Sequence, residues 1–106
     1  MANLKNMIEN LAGDAEIVGC VIGDRGWVFG LDHSDHTPKG KLMMWDEASK
    51  YLDYEHDTGY GGVDCHAVFA WTERDVIAVG QYDGSTWVYA IPRFPRDIMP
   101  TMEGGG

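Results

Sequence analysis

The chain has 106 residues, a length that fits one domain with a core of its own. Its 17 acids against 8 bases give a formal charge of −9, a field that repels phosphate backbones and anionic membranes and favours a basic partner. No segment approaches the run of about 18 apolar residues that spans a bilayer, and MANLKNMIENLAG has no signal-peptide core, so a cytoplasmic location is expected.

Leu4, Met7, Ile8 and Leu11 recur at helical spacing, with Asn3 as N-cap and Gly13 as stop. EIVGCVI, residues 16–22, reads as a strand apolar on both faces, the pattern of a strand in the middle of a sheet. Residues 23–26 read as a hairpin turn and WVFGL, 27–31, as the returning strand. DHSDHTPKG, 32–40, is a polar loop. A second helix is predicted over about 45–54, with Trp45, Ala48 and Leu52 on one face and Asp46 and Glu47 at its positive end. The glycines at 59, 61 and 62 forbid its continuation.

Three strands follow, roughly 65–71, 75–81 and 85–91, the last two joined at Asp83-Gly84, a pair suited to a type I′ turn. The order is αββαβββ. It predicts a single small α+β domain over 1–92, with about five mainly antiparallel strands and two helices. Residues 93–106 form a Pro- and Gly-rich tail. Cys20 and Cys65 make neither a zinc knuckle nor a CxxC motif and are expected as reduced thiols in or near the core.

The stretch YLDYEHDTGYGG, 51–62, gathers acids, tyrosines and a histidine without a Lys or Arg. Asp53, Glu55 and Asp57 are spaced by two. If extended, they project from one side about 6.6 Å apart, near the spacing of phosphates along a nucleic-acid strand. Asp64 lengthens the row, and Tyr51, Tyr54 and Tyr60 flank it. In the last strand, Trp87, Tyr89 and Ile91 share one face while Thr86, Val88 and Ala90 share the other. One face meets the helices, which leaves the other for a further layer or for a partner.

These residues suit contact with a basic protein surface, and no cofactor is expected. An alternative is a metal-binding module or metal-dependent hydrolase built from His33, His36 and His56 with Asp32 and Asp35. Against it, Pro38 and the Asp/Ser content place the His-x-x-His pair in a loop rather than on a helix. No GxSxG, Walker, HExxH or GxGxxG pattern is present. Cys65 and His66 point to opposite faces of a strand, so they do not form a catalytic dyad by themselves.

On Asp53, Glu55, Asp57 and Asp64 with Tyr51, Tyr54 and Tyr60, the chain resembles small acidic phage-encoded anti-defence proteins of the anti-CRISPR and anti-restriction kind. The resemblance implies a non-enzymatic inhibitor, monomeric or homodimeric, working in the host cytoplasm. It would bind a nucleic-acid-handling complex by occupying a basic groove as a nucleic-acid mimic, or by blocking a subunit contact. A further alternative is a phage structural protein that uses the last strand as a subunit contact.

Overall fold

The computed structural model describes residues 2–25, 35–56, 65–82 and 85–100. They form an α+β domain with two helices and antiparallel strands in two sheets. The first helix, α1 (Leu4–Ala12), follows a two-residue strand, β1 (Ala2–Asn3). Asn3 caps α1 by accepting from the Asn6 N–H at 3.0 Å, and Gly13 ends it at φ 62°, ψ −124°. The second helix, α2 (Trp45–Leu52), is followed by β3 (Glu55–His56), which pairs with β1. The main sheet comprises β2 (Ile17–Arg25), β4 (His66–Thr72), β5 (Asp75–Tyr82) and β6 (Ser85–Pro92), in the order β2-β4-β5-β6.

The core lies between the helices and one face of this sheet. Leu4, Ile8, Ala48 and Leu52 from the helices meet Cys20, Ile22, Val68, Ala70 and Ile77, all buried. Their burial follows the period of each element, so hydrophobic transfer fixes which side of each strand turns inward. Trp45 ties the two helices together through its indole N–H, which donates to Glu9 Oε2 at 3.0 Å.

Two expectations change. Among the described residues the strand read over 16–22 is not central: β2 ends the strand order, and its outer edge is met by an irregular segment instead. Cys20 exchanges backbone bonds with Met43 at 2.9 Å, and the Gly40 N–H donates to Ile22 O at 2.8 Å. Of the turn expected at 23–26, residues 23–25 are strand instead, because β2 runs on through Asp24 to Arg25, which pairs with His66 across a register shift. The returning strand at 27–31 lies outside the described residues. The tail leaves β6 with the Arg93 N–H on Arg74 O at 3.0 Å and the Arg93 guanidinium on Thr72 O at 2.7 Å, and has no regular structure from Pro95 to Pro100.

Candidate functional site

The chain after α2 turns at once. Asp53 ends the helix and Tyr54 bends the backbone before β3. This turn swings the Tyr54 ring inward against the core and brings its hydroxyl to the start of β4. There the hydroxyl accepts the His66 backbone N–H at 2.9 Å and lies 2.7 Å from His66 Nδ1. On the other side of the ring, Nε2 lies 2.9 Å from Asp35 Oδ2. Asp35 also receives the Thr37 N–H at 3.1 Å and the Lys39 ammonium at 3.3 Å. The Arg25 guanidinium lies 4.4 Å above the Tyr54 ring, close enough for a cation–π contact.

The charges set the tautomer. Burial raises the Asp35 carboxyl, but hydrogen bonds from Thr37 and His66 outweigh it and hold the group well below the usual carboxylate range. Burial lowers His66; Asp35 opposes that, while Arg25 and Lys39 push the same way, and the net is a ring less basic than usual. A neutral His66 beside an ionised Asp35 donates from Nε2 to the carboxylate and accepts the Tyr54 O–H at Nδ1. Burial pushes the Tyr54 phenol up to about 12, which keeps it protonated for that role. The network therefore spends its donors and acceptors on itself, locking the 35–39 loop and the α2–β3 turn onto β4. The Cys20 thiol, pushed up to about 12 by burial, is chemically quiet.

The opposite face of the main sheet has a different character. The register aligns Val21, Phe69, Ala78 and Tyr89 in one row, Gly19, Trp71, Val76 and Ile91 in a second, and Gly80 with Trp87 in a third. Among the described residues no helix covers this side. Phe69 is 56% exposed and Ile91 52%, and Trp71, Val76, Trp87 and Tyr89 are half-buried. Phe69 and Trp71 meet edge to face, with centroids 6.2 Å apart. The result is a continuous aromatic and aliphatic surface on the described part of the sheet, as the alternation in the last strand predicts.

Protein-family models, curated proteins and solved structures offer no match to this chain.

The described members of the acidic stretch differ in setting. Asp53 is exposed and accepts from Asn3 Nδ2 at 2.8 Å, and Glu55 is exposed on β3. Tyr51 packs against the core, and Tyr54 is committed to His66. Asp57, Tyr60 and Asp64 lie outside the described residues, as do Asp32 and His33. His36 is exposed, while His56 is fully buried with neither ring nitrogen hydrogen-bonded. Among the described residues no three His, Cys, Asp or Glu side chains stand together as a metal site. A second acidic feature is an open groove of about 390 Å³ between the end of α1 and the start of α2. Glu9, Glu16 and Asp46 line it beside Ile17, Met44 and Trp45.

The Asp35–His66–Tyr54 network is absent from the sequence reading. Its members are 31 and 12 residues from His66, and nothing in a turn-rich loop singles out one acid from its neighbours. The one available signal is the apolar alternation of 66–72, which puts His66 on the inward face with Val68 and Ala70.

Proposed function

We propose that the protein is a non-enzymatic binding protein that docks a protein partner on the uncovered face of its main sheet. The observation that carries this reading is that face, with Phe69, Trp71, Trp87, Tyr89 and Ile91 contiguous and accessible. Large aromatic residues at a contact supply most of its free energy, and exposed apolar surface of this extent is disfavoured without a use. The charge of −9 selects the partner: an apolar patch rimmed by Lys and Arg, as on a protein that handles nucleic acid. An inhibitor of a defence complex, blocking such a basic surface or a subunit contact, is the role that fits this chemistry. Asp53 and Glu55, both exposed, would add steering charge rather than the anchor.

Affinity capture from bacterial lysate tests the reading with three baits: the native chain, Phe69→Lys with Ile91→Lys, and Asp53→Lys with Glu55→Lys. The expected result is a stoichiometric partner that elutes as salt is raised. It should be lost by the sheet-face variant and bound more weakly by the acid variant. Retention of the same partner by a folded sheet-face variant would move the contact elsewhere. If only the acid variant lost it, the helical side of the molecule would be the docking surface.

A further inference from the structure

The two edges of the main sheet are treated differently. On the β2 side, Gly40 and Met43 occupy the backbone groups and register shifts interrupt the ladder. On the β6 side, no described residue pairs with the strand beyond β5. The phase of the β5–β6 ladder shows which groups face outward. The Arg93 N–H donates to Arg74 O, so residues 74 and 93 form a hydrogen-bonded pair. Antiparallel pairs alternate between bonded and non-bonded, and the register from Asp75↔Pro92 to Tyr82↔Ser85 is unbroken. Residues 85, 87, 89 and 91 therefore turn their N–H and C=O toward β5. Thr86, Val88 and Ala90 turn theirs outward. Pro92 takes the next outward position, where its missing N–H costs no ladder bond.

Natural sheets blunt such an edge with charged side chains, bulges or a covering segment. The strand Ser85–Ile91 has no charged residue and no bulge. We infer that β6 is a self-association edge, on which a second copy of this chain adds its own β6 antiparallel about a two-fold axis at Val88. In that register, Val88 faces Val88 of the second copy and Thr86 faces Ala90. Each of these three residues donates one hydrogen bond and accepts one. Trp87 then falls opposite Tyr89 at a non-bonded pair, where the strands approach most closely and aromatic pairs contribute most. Ile91 meets Ser85, and Pro92 ends the pairing at both limits.

Charge decides for a second copy over a foreign strand. A basic peptide would find no acid on residues 85–91, whereas two chains of −9 repel least where both are uncharged. Pairing would double the sheet and carry its aromatic face across the axis. The inference does not depend on the proposed partner, since it concerns the edge of the sheet and not its face.

The test is sedimentation equilibrium of the full chain from micromolar to millimolar concentration, at low and high salt, with amide exchange on the same samples. The expected mass rises from 11.8 kDa to twice that value, more readily at high salt. Amide protection at Thr86, Val88 and Ala90 should rise with concentration by at least about tenfold. Protection at Trp87 and Tyr89 should stay constant, because their bonds lie within the monomer. Ala90→Pro removes one outward N–H and no β5 bond, and Ala90→Lys charges the same exposed position. Each should hold the protein monomeric while Trp87 and Tyr89 stay protected. A mass of 11.8 kDa throughout would overturn the inference. So would a dimer that survives both variants with the edge amides unprotected.

Discussion

At the scale of single residues, His66 and Asp35 couple stability to pH, and the sign follows from their environments. His66 is less basic than its ordinary 6.5 in the folded chain. As pH falls through about 6.5, the unfolded chain takes up a proton that the folded chain refuses, so stability declines. Asp35 lies below its ordinary 3.8, so its contribution is complete above that value and is lost as pH falls further. Urea midpoints from pH 8 to pH 3 should therefore fall in two stages. Asp35→Asn keeps an acceptor for the His66 Nε2–H but removes the carboxylate. It should abolish the lower stage, on the order of 1 kcal/mol by pH 3. It should also deepen the upper one, because a carboxylate that helps His66 hold a proton is gone. Identical native and variant profiles below pH 4 would mean that Asp35 is not ionised against its partners in the fold.

At the scale of elements, β6 is held to β5 by packing as well as by its ladder. Gly80 pairs with Trp87, and a methyl group at Gly80 would stand 2.8 Å from Trp87 Nε1 and 2.9 Å from Cε2. The indole is seated on the glycine. Gly80→Ala gains about 0.5–1 kcal/mol from reduced backbone freedom, but it forces the ring aside at a cost of about 1–3 kcal/mol. The net expectation is a loss of about 1 kcal/mol with a changed near-UV tryptophan signal. A variant as stable as the native protein with an unchanged signal would refute that seating. The sequence makes such elements readable in unequal measure. The first helix is legible to within a residue because Asn3, the apolar spacing and Gly13 all agree. The last three strands are legible because alternation separates Val68, Ala70 and Ile77 from Phe69, Trp71 and Val76. The place of β2 is not, since Val18, Cys20 and Val21 look alike whether a neighbouring strand or the 40–43 segment covers the edge. The inward turn of Tyr54 is equally hidden. Whether Tyr54 faces solvent or His66 depends on a partner 12 residues away, and no local spacing encodes it.

At the scale of the whole molecule, charge sets the response to salt. Four ion pairs with Lys or Arg are formed among the described residues: Lys5–Glu9, Lys39–Asp24, Lys39–Asp35 and Arg96–Asp75. Three of them lie at 3.7–3.9 Å with exposed or half-exposed partners, the geometry in which a pair contributes little. The remaining acids repel one another, and folding brings them closer than in the extended chain. Screening should therefore help the folded state more than it harms the pairs. Raising sodium chloride from about 10 mM to about 500 mM shortens the screening length from about 30 Å to a few ångströms. The melting temperature at pH 7 should rise by a few degrees over that range, equivalent to about 1 kcal/mol for a domain of this size. Calorimetry at the two salt concentrations measures it directly. A fall would mean that the Lys39–Asp35 contact, whose carboxylate is only 8% exposed, outweighs the repulsion of the rest. The same screening weakens attraction to a basic partner and eases the approach of a second copy. Salt should thus separate the three properties by sign: fold stability and self-association upward, partner affinity downward.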